Sequence, residues 1–493
     1  MSSQPDGSPE ATLKESGKGL ISSFVNYLIS RPQVSVGCMI IAAFYLSFLP
    51  AEGLHVVFGS RLLKLGLWAF LLGMSAVMAG LLMLAPRFDS SAFRKFGWMI
   101  AGFATYAGAH LLIQPPRYDW DQAISMVFLI PLMSVLGFIV SRYKRVALST
   151  LACLFGTYVV VGIIIALTTG IHADPLSNRV RLFPEWLVAG EQPYYQNTSL
   201  YCALFAVIAW FWIPLVVKSR WFTIPAIAAG AFGILLLPEL GGRAAFIAVV
   251  LAVFGCTVGE IHLRVRGGFA SNSWIQCCKM PIIRFVGFFV VLAIPFAFNS
   301  SAVIHRVQDA PYVQNRSMIM VANLQDLAAD DGSDNQLGVE GDSQKAMSIE
   351  SEELVEPKKH PSIRIALYSS AMSQWTSDIK SFLIGNGSQA FSVGFEKYSP
   401  KWHPHNFILE ALAEFGLIGA LLLLAPLGLL GFMMTRCLLV GGAACDVDQL
   451  IMIAIAGMIM VVSLLTGGIY SLWLLFFVMF MACPVDPAIE AAE

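Results

Sequence analysis

The feature that most constrains this chain is a run of apolar segments, each about as long as a lipid bilayer is thick. A spanning helix needs about 20 apolar residues. Segments 33–50, 66–85, 97–114, 123–141, 147–169, 198–217, 221–238, 244–260, 281–299, 409–434, 448–466 and 468–483 meet that need, the last being the shortest. Only 13% of the 493 residues are charged, against about 25% in soluble domains, and mean hydropathy is +0.70. Ordinary soluble, fibrous, disordered and small disulfide-rich classes are excluded. The expected fold class is an all-α polytopic membrane protein with about twelve transmembrane helices. Net charge is −1, so there is no basic excess of the kind that binds nucleic acid.

Orientation follows the Lys/Arg bias of short loops. Arg87, Arg94 and Lys95; Arg142, Lys144 and Arg145; Lys218 and Arg220; Arg264, Arg266 and Lys279; and Arg436 fall in alternate loops, which assigns those loops to the cytoplasm. The opposite short loops carry little: Arg61 and Lys64, Arg117, and Arg243. The expected organisation is a cytoplasmic tail (1–32), spans one to nine (33–299), one large extracytoplasmic loop (300–408), spans ten to twelve (409–483) and a cytoplasmic C-terminal tail (484–493). The polar 1–32 stretch carries no cleavable-signal pattern. The nine cysteines fall in spans or cytoplasmic loops, with neither a disulfide framework nor zinc-type spacing.

The large loop has two parts. Residues 326–356 hold ten carboxylates and one Lys and read as a disordered acidic insert. A calcium loop is excluded there by spacing. Residues 362–380 return to helical periodicity, with Ile363, Leu367, Met372 and Trp375 on or near one face. The turn-rich Gly385-Asn386-Gly387 follows.

The loop re-enters the membrane through Trp402-His403-Pro404-His405-Asn406-Phe407-Ile408-Leu409-Glu410. Two imidazoles, an amide and, with Glu414, two carboxylates open a span. Asn406, Glu410 and Glu414 are four apart and share a helix face. Two readings of this spacing stand: an interfacial cap at a water boundary, or groups facing a wet cavity. Arg243, at the head of a span and outside, suits a phosphate through its two-pronged guanidinium, or a salt bridge to Glu239. Arg364 is either a solvated surface cation or part of an outer anion site, with Arg179, Arg181, Arg306 and Arg316 on the same side. His305 and His360 read as surface residues.

Pro404-His405-Asn406-Phe407-Ile408-Leu409-Glu410, followed by Glu414-Phe415-Gly416-Leu417-Ile418-Gly419, resembles the signature of the bacterial O-antigen ligase/polymerase family. Arg364 through Trp375 to Gly385-Asn386-Gly387 is similar to that family's Arg-bearing helix and glycine turn. Gly241-Gly242-Arg243-Ala244 is similar to its Ser-Arg-Gly element, with Gly242 where the family has Ser. The resemblance covers roughly 198–466; the acidic insert is not part of the pattern.

The resemblance implies an inverting glycosyltransferase of the cytoplasmic (inner) membrane, acting at the outer face. Its implied donor is a glycan on undecaprenyl diphosphate, held partly by membrane lipid, with no nucleotide sugar, metal or other cofactor. The implied acceptor is lipid A-core (a ligase), another lipid-linked glycan (a polymerase) or a protein hydroxyl (a protein O-oligosaccharyltransferase). On this reading His405, Arg243 and Arg364 are the catalytic groups, and Asn406, Glu410, His403 and Arg181 bind substrate. Two rival classes are a twelve-helix secondary transporter and a non-catalytic scaffold. Against the transporter, the link between spans six and seven is only Lys218-Ser219-Arg220, and no half-to-half repeat is visible.

The topology is directly testable. Reporter fusions after Asn299 and after Arg266 are expected to give opposite signals; equal signals overturn the orientation.

Overall fold

Inside a bilayer every backbone N–H and C=O must be paired within its own segment, which leaves the helix as the unit of construction for a single apolar stretch. A computed structural model describes residues 32–48, 73, 90–116, 120–169, 172–173, 180–181, 194–240, 243–266, 274–298, 363–395, 403–440, 445–469 and 472–484. The expected span 66–85, apart from Gly73, lies outside the described residues. So do both tails, the acidic stretch 326–356, and Arg179, Arg306, Arg316, His305 and His360.

The helices are α1 (Pro32–Phe48), α2 (Ser90–Ile113), α3 (Trp120–Val140), α4 (Lys144–Thr169), α5 (Tyr194–Val207), α6 (Ile213–Val216), α7 (Arg220–Leu240), α8 (Arg243–Arg266), α9 (Trp274–Phe298), α10 (Ile363–Trp375), α11 (Ile379–Leu383), α12 (Ala390–Phe395), α13 (Phe407–Val440), α14 (Val447–Thr466) and α15 (Trp473–Met481). A two-residue strand pair, β1 (His172–Ala173) and β2 (Val180–Arg181), sits between α4 and α5.

Among the described residues seven helices are long and apolar enough to cross a membrane: Phe96–Ile113, Met126–Ile164, Thr198–Val216, Arg220–Leu237, Arg243–Arg266, Phe407–Val440 and Val447–Thr466. The 39-residue stretch Met126–Ile164 contains two expected spans, joined by a 3-10 turn at Ser141–Tyr143. The protein is therefore an all-α multi-pass membrane protein. The expected twelfth span is different. Its only helix, α15, has nine residues, all buried. It is about 14 Å long, half the hydrocarbon thickness, and packs on α3 rather than facing lipid.

Helices α8 and α14 form one of the most extensive contacts. Gly259, near the end of α8, lies directly against Leu450, near the start of α14. The pair is therefore antiparallel, and Arg243 and Thr466 each lie about sixteen residues, or about 24 Å, from that contact. Arg243 and Thr466 thus share one end of the bundle.

Helix α13 is broken at Gly416, where φ is 65° and ψ −171°. The break frees carbonyls of the first segment, and other parts of the chain take them up. Asn386 donates from its backbone N–H (3.1 Å) and its side-chain amide (3.2 Å) to Ala413 O. Gly387 N–H donates to Glu414 O (3.0 Å), and Tyr106 Oη to Phe415 O (2.9 Å). No side chain fits at this crossing. A Cβ on Gly385 would overlap Glu414 O, and one on Gly416 would lie 2.6 Å from Gly385 N.

Helix α10 seats Leu367 and Ala371 against Ala413 and Leu409 of the first segment of α13. The expected face was off by one position: Met372 is 41% exposed, and the neighbouring Ala371 is buried. A small residue lets α10 approach α13 closely, and the thioether one position on points away.

Gly416→Ala is expected to lower the thermal stability of the purified protein. The left-handed backbone alone costs about 1–2 kcal/mol, and the overlap with the 383–385 backbone adds to it. Gly428→Ala, in the same helix with open space around it, is expected to be neutral or stabilising. Equal melting temperatures would refute the docking of the glycine turn on the break.

Candidate functional site

The site forms where the segment preceding Phe407 enters α13. Asn406 Oδ1 accepts from Ile408 N–H (3.0 Å) and Leu409 N–H (3.2 Å), capping the helix. Its carbonyl oxygen is thus engaged in starting α13. Immediately before it, His405 has φ +52°, a left-handed conformation in a residue with a side chain. Such a backbone costs about 1–3 kcal/mol and persists only where the surroundings enforce it.

Those surroundings are specific. The backbone carbonyl of Thr466, at the end of α14, bears on the His405 ring and favours its protonated form. The His403 ring meets it edge-on, with centroids 4.2 Å apart and planes at 75°. Glu410, 2% exposed, accepts the N–H of Ile469 on Oε2 (2.7 Å). Gly468 lies between the two: a Cβ there would be 2.9 Å from His403 Cδ2 and 3.1 Å from Glu410 Oε2. The turn 466–469 is therefore a wall of the site, pressed against both His403 and Glu410.

Arg364, exposed in the first turn of α10, bears on His405 by its charge. The packing of α10 explains the juxtaposition. Asn386 bridges Gln374 O and Ala413 O, so the end of α10 lies by the end of the first α13 segment. The start of α10 then lies by the start of α13. Burial foremost, then the Arg364 charge, hold the His405 imidazole below its ordinary pKa, against the Thr466 carbonyl, which raises it. Burial and then His405 push His403 down to about 4.

Arg243 is exposed at the first position of α8. A cation there opposes the helix dipole, so helix stability does not explain it. Through the antiparallel α8–α14 register it stands at the Thr466 end. Arg181 pairs its backbone with His172 in β2, which packs against α7. Among the described residues neither Arg243 nor Arg364 makes an ion pair. His403, His405, Glu410 and Arg364 are thus brought together, Asn406 is a cap, and Arg243 is placed at the same end.

The opposite end of the bundle treats charge differently. Glu260, 3% exposed, is held by Arg264 Nη2 (2.6 Å) and by Arg284 Nη1 on both oxygens (3.0 and 2.8 Å). Asp448 accepts from Trp212 Nε1 (2.7 Å) and faces Arg145 Nε at 3.8 Å. Three of the cations there, Arg145, Arg264 and Arg284, are matched by carboxylates.

Sequence reasoning missed two parts of the site. One is the turn 466–469, whose signal is the Gly467-Gly468 pair after an apolar run. The other is the grip of α2: Tyr106 Oη reaches both Phe415 O and Ile384 O (3.1 Å), and His110 Nε2 donates to Ile384 O (3.1 Å). Its signal is a His within a span, four residues after a Tyr.

The low pKa of His403 has a stability consequence. The unfolded chain protonates this residue near pH 6.5, the folded protein only near 4. Between those values the unfolded state binds more protons, so stability falls as pH falls. His405, shifted in the same direction, adds to the effect. The melting temperature is expected to drop from pH 6.5 to 4, with a shallower slope for His403→Gln; parallel curves would show that His403 is not the buried neutral group.

Neither a protein-family model nor a curated protein matches the chain. Residues and their geometry therefore carry the functional reading.

Proposed function

We propose that the chain is a membrane glycosyltransferase that moves a glycan from undecaprenyl diphosphate to an acceptor hydroxyl at the outer face of the cytoplasmic membrane. The observation that carries this reading is the strained His405. Its left-handed backbone sits where burial and the Arg364 charge lower its pKa, and that cation has no carboxylate partner among the described residues.

The chemistry follows from those groups. In a neutral imidazole one ring nitrogen carries the proton and the other a lone pair. That lone pair takes the proton of the acceptor hydroxyl as its oxygen attacks the anomeric carbon. The bond from that carbon to the diphosphate oxygen breaks, and the configuration inverts. Charge that develops on the leaving diphosphate is met by Arg364 and Arg243, whose guanidinium forks bind two oxygens at once. This assignment asks nothing of a metal ion. A lowered pKa keeps His405 in its basic form at neutral pH, as a general base requires. The acceptor is lipid A-core, a second lipid-linked glycan or a protein Ser/Thr, and the quoted residues are common to all three.

The broken helix α13 is the one feature that favours the transporter reading, because transporters build ion sites from the freed carbonyls of such breaks. Here three of those carbonyls already accept from Asn386, Gly387 and Tyr106. They hold the protein together rather than facing an ion, which favours the enzyme.

The test is transfer from a purified undecaprenyl-diphosphate glycan with EDTA present. His405→Ala is expected to lose about 10²–10⁴ in rate while donor binding survives. Arg243→Ala and Arg364→Ala are expected to weaken donor binding as well as turnover, with Lys variants in between because Lys lacks the fork. Near-normal turnover by folded His405→Ala removes His405 as base, and a strict metal requirement overturns the arginine-only account. Solute uptake by native proteoliposomes without any glycan transfer would establish the transporter.

A further inference from the structure

Helix α11 lies between α10 and the glycine turn, and its exposed face is apolar. Asp378 starts it by taking the Ser381 N–H on Oδ1 (2.8 Å). The buried Ser381 donates from Oγ to Asn386 Oδ1 (2.7 Å) in the turn. With Ser381 fastened inward, Ile379 and Leu383, two residues to either side, point outward together. Ile379 is 73% exposed, and Leu383 and Ile384 are exposed as well.

An exposed apolar side chain says little by itself; the height of this one in the bundle says what meets it. The Ile384 carbonyl accepts from Tyr106 Oη and His110 Nε2, both at 3.1 Å. Both donors belong to the apolar stretch Phe96–Ile113 of α2, seven and three residues short of its end. Along a helix that is about 10 and about 4.5 Å inside the apolar layer, the depth at which the apolar face of an interfacial helix lies. A second span gives the same height. A Cβ on Gly416 would lie 2.5 Å from Leu383 O, and Gly416 is followed at once by the exposed Ile418 and Leu421 of the span Phe407–Val440.

We propose that α11 is an interfacial membrane anchor, with Ile379, Leu383 and Ile384 inserted into the lipid leaflet on the His405 side of the bundle. The lipid surface that covers the two spans continues over this face. The neighbouring groups have the chemistry of that depth. Lys380 is exposed beside the apolar face, and a lysine stem lies along apolar surface while its ammonium stays with water and headgroups. Trp375 stacks on Phe382, with centroids 4.8 Å apart and planes at 18°, and donates from Nε1 to Phe382 O (2.9 Å). Its one donor is thus paired, as an indole near an apolar boundary requires. Thr376, Ser377 and Asp378, immediately before α11, are exposed and polar.

The anchor bears on the candidate site through the chain. Only Thr376, Ser377 and Asp378 separate α10 from α11, so a leaflet that holds α11 also sets the height of α10 and of Arg364. On the glycosyltransferase reading this fixes Arg364 against the diphosphate of a lipid-held donor. That consequence rests on the reading; the anchor itself does not.

The test places the photoreactive residue p-benzoylphenylalanine at one site at a time in the full-length protein, in membranes of cells grown on radiolabelled phosphate. Irradiation followed by gel separation reads the phospholipid joined to the protein. Replacing Leu421, on the lipid-exposed part of α13, gives the positive reference, and replacing Ser369, exposed in the middle of α10, the negative one. At Ile379 and at Leu383 the label is expected to match that at Leu421 and to be several times that at Ser369. Two positions are read so that a single poorly folded variant does not decide the result. Label at both no higher than at Ser369, in protein that keeps the native melting temperature, overturns the anchor. So does joining of both positions to another part of this chain or to another protein in place of lipid, since a protein segment would then cover the face. A native protein that transfers no glycan overturns the enzyme reading instead and leaves the lipid labelling to decide this proposal.

Discussion

The helix break at Gly416 is the constraint on which the rest of the site depends. An unbroken α13 would carry its polar start straight on from the membrane-spanning part. The break instead separates a short first segment, Phe407 to Phe415, whose free carbonyls are bound by the 385–387 turn and by Tyr106. That segment becomes the platform on which α10 sits, and α10 carries Arg364. It also bears Glu410 and begins at the Asn406 cap beside His405. Gly385 and Gly416 are required because backbone meets backbone at the crossing, with no space for a side chain.

Charge is distributed between the two ends of the bundle in a way that fits this architecture. Ionised groups in an apolar bundle are costly unless paired or hydrogen-bonded. At one end Glu260 and Asp448 pair with Arg264, Arg284 and Arg145, which is how a structural network resolves the cost. At the other end the buried Glu410 is satisfied by a backbone N–H, and Arg243 and Arg364 stay exposed. Buried carboxylates that hold the frame and cations that remain available are what an anion-handling site requires. The strained His405 lies beside Arg364 and is the base in the transfer we propose.

Much of this was legible in the residue order. The apolar lengths, the Lys/Arg alternation and the Gly385-Asn386-Gly387 and Gly416 signals are local properties, and the structure bears out the helical, multi-pass class. His405 stood out because polar groups at the head of a span are costly and therefore meaningful, and Arg364 because its helix is similar to the Arg-bearing helix of the family that the sequence resembles. For the expected span 468–483 the described helix α15 is nine buried residues, a placement the sequence does not reveal because apolar residues look the same whether they face lipid or a neighbouring helix. Asn406 stood out as a candidate ligand, and the structure adds that its side-chain oxygen caps α13, a role that calls for the same side chain.

What the sequence by itself determined is membrane residence, helical construction and the identity of the polar residues at the head of α13, because these follow from composition and from periodicities a few residues long. What only the tertiary structure decided is which groups meet. Glu410 and Ile469 are 59 residues apart, Tyr106 and Phe415 309, and nothing local couples them. Such pairs are chosen by helix packing, where the absence of a Cβ at Gly385, Gly416 and Gly468 determines how closely two backbones approach. The surroundings of the His405 imidazole depend on contacts of that kind, and no reading of neighbours along the chain reaches them.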